Sequence, residues 1–261
     1  MVRSPRHPCG RHSRSRNHTP VISENRYEYT GICGSDLHEY LGGPIFILVE
    51  KEHPYSSRKD PLTPDHEFAS EIVEVGTGVT NVKVGDCITV GPILDKDGLK
   101  GKYNLGKNLS FVGLAADGGF TSYCVVDGEL CHKLSDSIDY EQGTSEPVAA
   151  ALYAVRQSSF KAGDTATVFG YGPIGLPTIE ALRAAGATTI YAIELSPERQ
   201  AKARKLGAVV INPSKVSVVE HIKAENDDDV NVSFELTGVA PVLKQAIEAV
   251  ENDGKCVIVS I

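Results

Sequence analysis

Thr165-Ala-Thr-Val-Phe-Gly-Tyr-Gly-Pro-Ile-Gly175 joins a short apolar run to three glycines in the spacing Gly-x-Gly-x-x-Gly. Gly170 permits a tight turn after a strand, Gly172 lets a pyrophosphate approach the backbone, and Gly175 allows a helix to pack closely on that strand. The N-terminus of the helix then faces the phosphates. The stretch therefore predicts a strand, a turn and a helix that together bind a dinucleotide.

The acidic residue Glu194 follows Gly170 by 24 positions and ends the next predicted strand. A carboxylate at this place can accept hydrogen bonds from the adenosine ribose, and it would repel the 2′-phosphate of NADP. The position therefore favours NAD as the cofactor. The alternative is an exposed acid beside the helix cap that Ser196 and Pro197 are expected to form.

From position 165 onward, short β-branched runs alternate with segments of helical period, which is typical of repeated βαβ units. The predicted strands cover 165–169, 189–195, 208–211, 230–236 and 255–261. The predicted helices cover 173–185, 197–206, 216–224 and 241–250. These elements predict an α/β fold with a parallel, doubly wound sheet. Pro177 falls inside the first helix, so a kink or a late helix start is expected.

The residues that precede this pattern favour β structure. One apolar run covers 72–75, a second covers 84–90 with Gly85-Asp86 as a turn, and a third covers 120–126. Glycines separate the runs, as expected for strands joined by turns. This half of the chain is therefore expected to form a β-rich barrel or sandwich.

Charge is distributed unevenly along the chain. The formal net charge is −8, but residues 1–20 hold five arginines and no acid, which leaves −13 on the rest. A negative body disfavours nucleic acid and anionic lipid as specific partners. The basic tail over 1–25 is expected to be disordered. An acid-free start rich in Arg and Ser is also typical of a mitochondrial transit peptide, and this alternative stays open.

The cysteine pattern and the short apolar runs indicate the cellular compartment of the protein. Six cysteines occur without a CxxC pair, and the start has no apolar stretch of the kind that directs secretion. No apolar run approaches the roughly 20 residues that a membrane-spanning helix needs. We therefore expect a cytoplasmic protein with no membrane partner.

Two polar segments contain residue types that zinc prefers as ligands. Cys33 lies in Gly31-Ile-Cys-Gly-Ser-Asp36, and His66 lies in Pro64-Asp-His-Glu-Phe68, 33 positions later. Each residue alone is weak evidence. A lone cysteine is most often a small buried residue, and a lone histidine is more often a satisfied polar group than a ligand.

Together, these segments and the glycine-rich stretch resemble the zinc-dependent medium-chain alcohol dehydrogenases, most closely the butanediol and sorbitol dehydrogenase branch. The resemblance covers roughly 29–261. Further motifs that carry it are His38-Glu-Tyr-Leu-Gly-Gly-Pro-Ile-Phe46, Val75-Gly-Thr-Gly-Val79, Lys83-Val-Gly-Asp86, Glu146-Pro-Val148 and Phe234-Glu-Leu-Thr-Gly238. Several independent motifs in one order make a chance match improbable.

The resemblance implies one catalytic zinc ion. Its ligands would be Cys33, His66 and Glu146, with Glu67 as a neighbour that can approach the metal. Asp36 is expected to accept a hydrogen bond from His66 and so to select the ring nitrogen that coordinates. The alternative for Glu146 is an ordinary acid in the first turn of a helix.

A proton relay and further cofactor contacts are also implied. Ser35 and His38 match the residues that pass the proton of the alcohol to solvent, and histidine suits this because imidazoles titrate near neutral pH. The alternative for His38 is an ordinary loop histidine. Besides the three glycines and Glu194, the implied cofactor-binding residues are Pro173, Ile174, Arg199 and Thr237.

The implied protein is a zinc-dependent oxidoreductase that transfers a hydride between a secondary alcohol, vicinal diol or polyol and NAD. It would have a β-rich, GroES-like catalytic domain over 26–155 and a Rossmann NAD-binding domain over 156–261. Two alternatives stay open: a catalytically impaired, NAD-binding remnant of the family, and a zinc-free protein similar to quinone reductases. A homo-oligomer is compatible with the resemblance.

The chain departs from the family pattern at several places. Asp65 stands where glycine is usual, and it would tolerate a positive φ better than most residues while adding a charge near the metal. The segment 91–110 has no cysteine, so we expect a flexible loop and no structural zinc. Both ends look incomplete, with the last sheet strand missing, which would weaken an oligomer and leave 256–261 as an apolar edge strand.

Overall fold

The structure is a computed structural model that describes residues 20–24, 29–94, 105–106, 109–226 and 229–260, with the backbone alone for 20–24. The chain divides into two compact units, Met1–Thr144 and Ser145–Ile261. The predicted boundary at 155/156 falls later, inside a helix of the second unit. The limits of the functional domains therefore stay a prediction.

The first unit is built mainly from β-strands, as the apolar runs predict. In the part of this unit that the structure describes, five strands form an antiparallel sheet in the order β6-β1-β2-β3-β7, and β4 pairs with β5. The strands are β1 (Pro20–Glu24), β2 (Ala69–Val75), β3 (Cys87–Val90), β4 (Ile93–Leu94), β5 (Ser110–Phe111), β6 (Tyr123–Asp127) and β7 (Cys131–Lys133). Among the described residues of this unit are also the α-helices α1 (Gly34–Gly42) and α2 (Tyr140–Gly143) and a 3-10 helix at Gly128–Leu130.

The core of the first unit lies against this sheet. Alternate residues of each strand point to the same face of the sheet, and the apolar side chains on that face are buried together. The buried side chains of this cluster include Phe68, Ile72, Ile88, Val90, Val112, Cys124 and Val126. The segment that carries His66 leads directly into β2, so the core holds that segment in place.

Strand β1 corrects the predicted extent of the disordered tail. The prediction placed 1–25 in that tail, but Pro20–Glu24 pairs with β2 on one side and β6 on the other. Val21 lies opposite Val75 and Val126 in these ladders. Pairing on both sides satisfies the backbone groups of a short segment, and Val21 and Ile22 are β-branched. Residues 1–19 lie outside the described residues.

The second unit is the predicted doubly wound sheet. Five parallel strands of its described residues stand in the order β10-β9-β8-β11-β12. They are β8 (Thr165–Phe169), β9 (Thr189–Ile193), β10 (Val209–Ile211), β11 (Val230–Glu235) and β12 (Val250–Ile258). The helices are α3 (Glu146–Gln157), α4 (Gly175–Ala184), α5 (Pro197–Lys205), α6 (Val218–Asn226) and α7 (Ala240–Glu248).

Apolar side chains cover both faces of this parallel sheet. Val168 and Ala192 belong to one buried cluster, whereas their neighbours Phe169 and Ile193 belong to another. Successive residues of a strand point to opposite faces, so each face has its own core. This explains why the strands are short continuous apolar runs rather than alternating ones.

Helix α4 starts late, as Pro177 predicts. The helix begins at Gly175, and the Thr178 N–H donates to the Ile174 carbonyl at 3.1 Å. Pro177 therefore lies in the first turn, where a missing N–H removes no bond within the helix.

Two further predictions concern the loop 91–110 and the last strand. Most of the loop, 95–104 and 107–108, lies outside the described residues, although β4 and β5 pair at its two ends. Strand β12 takes the predicted edge position, beginning earlier and ending earlier than 255–261. Within the described ranges, no helix has both the length and the apolar character needed to cross a membrane.

Asp86 fixes the turn between β2 and β3. Its side chain is only 5% exposed and accepts hydrogen bonds from the Lys83 N–H at 2.9 Å, Lys83 Nζ at 2.8 Å and Lys133 Nζ at 2.9 Å. The Lys83 side chain, followed by Lys133, holds the pKa of this carboxyl well below its usual range. The ionised form is therefore the one that stabilises the fold.

We expect Asp86→Asn to lower the melting temperature at neutral pH by roughly 2–4 °C, since the uncharged amide binds the two lysines less well. The folded pKa lies below the unfolded value of about 3.9, so the wild-type advantage is full above that pH and is lost as the pH falls below it. Thermal unfolding of both proteins between pH 3 and pH 7 checks this. The control is Asp127→Asn. Asp127 caps the 3-10 helix Gly128–Leu130 by accepting a hydrogen bond from the Glu129 N–H, and asparagine can form the same cap. An equal gap at all pH values would contradict the account.

Candidate functional site

Three potential metal ligands meet in the first unit. The donor atoms of Cys33, His66 and Glu67 all lie within 4.8 Å of one another. His66 and Glu67 are buried, and Cys33 is half-buried. A thiolate, an imidazole and a carboxylate are the three ligand types that zinc takes in proteins.

Main-chain pairing brings these distant residues together. The Gly31 N–H donates to the Glu67 carbonyl at 2.8 Å, and Thr30 forms an antiparallel bridge with Phe68. A Cβ on Gly31 would lie 2.0 Å from Glu67 Oε2 and 2.9 Å from Glu67 Cβ, so a side chain here would force Glu67 to shift. Cys33 then caps α1, and its N–H donates to Asp36 Oδ2 at 3.0 Å.

Burial shapes the electrostatics of this cluster. It raises the pKa of the Cys33 thiol, which the nearby hydroxyl and N–H of Ser35 only partly offset. It also raises the pKa of Glu67, against the lowering effect of Cys33. Without a cation these groups hold their protons more strongly than in water, and a divalent ion at this place would favour their ionised, ligating forms.

The surroundings of His66 contradict the predicted hydrogen bond to Asp36 but support the predicted metal site. Its Nδ1 is buried and has no hydrogen-bond partner among the described residues. The expected acceptor, Asp36, instead binds two main-chain donors, the N–H groups of Cys33 and Asp65, the latter at 3.2 Å. Each oxygen of the Asp36 carboxylate therefore accepts a hydrogen bond from a main-chain N–H group rather than from the imidazole ring of His66. A buried nitrogen without a partner is costly unless an ion or water binds it, so the residues present fit a zinc ion.

Asp65 has the positive φ that the sequence analysis considered for this position. Its φ is 87°, in the left-handed region that favours glycine, and its side chain is fully buried. Burial raises the pKa of this carboxyl to about 6, against the lowering effect of hydrogen bonds from Thr30 and Glu67. Sequence reasoning missed Thr30, because a single hydroxyl residue carries no spacing signal.

The remaining predicted residues of the metal site stay predictions. Ser35 and His38 stand three positions apart on α1, with Ser35 half-buried and His38 exposed, so they share a side of that helix. Glu146 is the first residue of α3 and belongs to the second unit. It lies in the first turn before Pro147, which is also where the alternative interpretation puts an ordinary helix acid.

The three glycines of the dinucleotide stretch occupy positions that need glycine for different reasons. Gly170 has a φ of 95°. A Cβ on Gly175 would lie 2.1 Å from the Gly170 carbonyl oxygen, whereas one on Gly172 would meet no protein atom within 4 Å. Gly172 therefore borders open space, as a ligand-approach position should. Pro173 and Ile174 form the turn into α4.

Glu194 is held firmly beside this turn. Its carboxylate accepts from the N–H of Tyr171 at 3.0 Å, of Leu195 at 2.8 Å and of Ser196 at 2.9 Å. The side chain is only 9% exposed, so the alternative of an exposed acid is wrong. Arg199 Nη1 lies 3.8 Å from Glu194 Oε2, which leaves the guanidinium beside the predicted ribose position.

Thr237 lies on the other side of the turn. A Cβ on Gly170 would come within 2.8 Å of Thr237 Cγ2. The buried acid Glu235 accepts hydrogen bonds from Thr237, from the Gly238 N–H at 3.2 Å and from the Ser260 hydroxyl. Burial alone would raise the pKa of Glu235, but these hydrogen bonds together lower it. Sequence reasoning missed Glu235, although it stands within the motif Phe234-Glu-Leu-Thr-Gly238.

Two family models match the chain. The model described as "Alcohol dehydrogenase GroES-like domain" matches residues 26–136, and the model described as "Zinc-binding dehydrogenase" matches residues 173–261. The first match covers the unit with the Cys33 cluster, and the second begins within the glycine-rich stretch. Each compact unit is therefore matched by one of the two models.

Curated proteins and solved structures are similar as well. (R,R)-Butanediol dehydrogenase of Bacillus subtilis is 57% identical over 239 residues, which are 90% of this chain and 69% of the relative. Sorbitol dehydrogenase of the same species is 35% identical over 254 residues, 94% of this chain and 69% of the relative.

The crystal structure of 2R,3R-butanediol dehydrogenase from B. subtilis matches with a TM-score of 0.87 and 53% identity, over 100% of this chain and 73% of that one. A zinc-binding dehydrogenase of Sinorhizobium meliloti bound to NADP matches with a TM-score of 0.83 and 31% identity, over 93% of this chain and 69% of that one. The chain therefore belongs to the zinc-dependent medium-chain alcohol dehydrogenases, a family of oxidoreductases that use zinc and a nicotinamide cofactor.

Proposed function

We propose that this chain is an NAD-dependent zinc dehydrogenase that oxidises a secondary alcohol or vicinal diol and catalyses the reverse ketone reduction. The observation that carries the proposal is the cluster of Cys33, His66 and Glu67, whose donor atoms lie within 4.8 Å of one another. The relatives named for butanediol and sorbitol make a butanediol-like diol the leading substrate. The expected binding partner is therefore a small-molecule substrate. We also expect the enzyme to be cytoplasmic.

In this proposal Cys33, His66 and Glu146 would hold one zinc ion, with Glu67 as a neighbouring carboxylate that can approach the metal. A bound zinc ion supplies the positive charge that makes a substrate hydroxyl more acidic and polarises a ketone. The proton leaves through Ser35, half-buried on α1, towards His38, which is exposed on the same helix. A bound nicotinamide cofactor would accept the hydride separately from the proton.

The cofactor would lie at the carboxyl ends of the parallel strands, where the glycine-rich turn, Glu194 and Thr237 are found. Gly172 borders open space, which supports an approach of the pyrophosphate there. The Glu194 carboxylate accepts hydrogen bonds from main-chain N–H groups beside the turn, and a carboxylate at this place supports NAD over NADP because it would repel a 2′-phosphate.

The metal proposal is tested by zinc analysis and by NADH formation on a panel of diols and polyols, before and after chelation. We expect about one zinc per chain, loss of activity with chelator and recovery with added zinc. Cys33→Ser should lose the metal and lower kcat/KM by about 100-fold or more. Cys87→Ser, in the same unit but outside the cluster, is the matched control. Near-zero metal with intact NADH binding would instead indicate a non-catalytic remnant.

The relay is tested by the pH dependence of alcohol oxidation. We expect His38→Gln to slow oxidation by about tenfold at low pH and by less at high pH, where solvent base can take the proton instead. His132→Gln removes another exposed histidine of the same unit and serves as the control. An unchanged pH profile in His38→Gln would argue against the relay.

Cofactor choice is tested at Glu194. Glu194→Gln keeps the size and one acceptor oxygen but removes the charge, so we expect the ratio of kcat/KM for NAD to that for NADP to fall by about tenfold. Glu198→Gln, an exposed acid in the first turn of α5, should leave the ratio unchanged. A constant ratio in both variants would contradict the assignment of Glu194.

A further inference from the structure

The carboxylate of Asp65 lies fully buried between the two segments that carry the zinc donors. Its Oδ2 accepts a hydrogen bond from the Thr30 hydroxyl, three residues before Cys33 in the chain. Its Oδ1 accepts from the Glu67 N–H at 2.7 Å. One side chain therefore binds both segments at once.

The main chain of Asp65 adds a third connection. Its N–H donates to Asp36 Oδ1 at 3.2 Å, and the other oxygen of Asp36 binds the Cys33 N–H. Asp36 lies on α1 and Asp65 precedes His66, so the two acids link the helix with the histidine segment. Each link ends within three residues of a proposed ligand.

Three glycines hold Asp65 tightly in this position. A Cβ on Gly113 would lie 2.4 Å from the Asp65 carbonyl oxygen, and one on Gly118 would lie 1.9 Å from the same atom. A Cβ on Gly119 would lie 2.1 Å from Asp65 Oδ2. The side chain of Asp65 has no exposed surface, so packing around it helps to fix its two acceptor contacts.

Asp65 is costly in two ways unless it has a task. A φ of 87° is unfavourable for a residue with a side chain, and a buried carboxylate loses its hydration. Glycine would remove both costs and leave the backbone conformation intact. The hydrogen bonds to Thr30 and Glu67 are what the aspartate adds.

We infer that Asp65 is a positioning residue of the zinc site: its side chain joins Thr30 to Glu67 and so keeps the thiol of Cys33 opposite His66 and Glu67. The inference rests on the proposed zinc centre. It concerns the arrangement of the donors and assigns Asp65 no contact with substrate or metal. Partners that hold ligands in place are worth about 10- to 100-fold in metal affinity.

Two substitutions separate the side chain from the backbone. Asp65→Gly tolerates the positive φ but removes both acceptor contacts, whereas Asp65→Asn keeps an acceptor oxygen for Glu67 and offers an N–H to the Thr30 oxygen. Thr30→Val removes the hydroxyl from the other end of the same contact. Asp86→Asn destabilises the same unit away from the site and controls for a general loss of stability.

Two measurements are made on the full chain. Hydrogen exchange of the metal-free protein reports the amides of Gly31 and Glu67 without any ion. Competition with a chromophoric chelator gives the Kd for Zn²⁺. We expect Asp65→Gly to speed exchange at both amides and to raise the Kd about tenfold or more, with Thr30→Val in the same direction. Asp65→Asn and Asp86→Asn should stay within about threefold of wild type.

The outcomes distinguish this inference from the zinc proposal. Unchanged exchange and an unchanged Kd in Asp65→Gly overturn the inference. A loss in Asp65→Asn equal to that in Asp65→Gly overturns it as well, because the effect would then belong to the charge. Wild-type protein that binds no zinc overturns the zinc centre, and the exchange data then decide separately whether Asp65 joins the two segments.

Discussion

A short main-chain contact between two distant segments is the constraint on which the candidate zinc site depends. The Gly31 N–H binds the Glu67 carbonyl, and Thr30 bridges to Phe68, so a cysteine and a histidine 33 positions apart share one buried place. Phe68 belongs to the core of the first unit, which anchors this contact. The side chains of Asp36 and Asp65 then bind main-chain N–H groups around it. The donors are thus arranged by the polypeptide itself.

The second unit uses the same chemical device around its glycine-rich turn. Strands β9 and β11 flank β8, and each has a buried glutamate at its carboxyl end. Glu194 directly follows β9, and Glu235 is the last residue of β11. Glu194 binds the Tyr171 N–H within the turn, and Glu235 fixes Thr237, which lies close to Gly170. The turn is therefore held from both sides by carboxylates that bind backbone donors. Parallel strands place these loops at one edge of the sheet, where a nucleotide can reach them.

Much of this architecture follows from local sequence pattern. Strand β8 has the predicted bounds, the βαβ order is correct, and Pro177 marks the late start of α4, because each depends on neighbouring residues. The prediction of disorder was wrong for 20–24, since Pro20–Glu24 becomes a strand only through partners about 50 and 100 positions away in the chain. Such pairings leave no local signal.

The candidate site was predictable in its residues but less so in its contacts. Motifs identified Cys33, His66 and Glu67, and the structure groups them. They could not tell which donors Asp36 would bind, because a carboxylate accepts from whatever N–H the backbone presents. Thr30 and Glu235 were missed for the same reason: their roles depend on three-dimensional neighbours rather than on spacing.

Ser260 links the end of the edge strand β12 to the loop that carries Thr237. Its hydroxyl donates to Glu235, the acid that also binds Thr237 and Gly238. Fraying of the residues after β12 would therefore remove one of the donors that lower the pKa of this acid and hold it in place. We therefore expect the order of the Thr237 loop and the docking of Ser260 to be thermodynamically coupled, so that whatever tightens one also tightens the other.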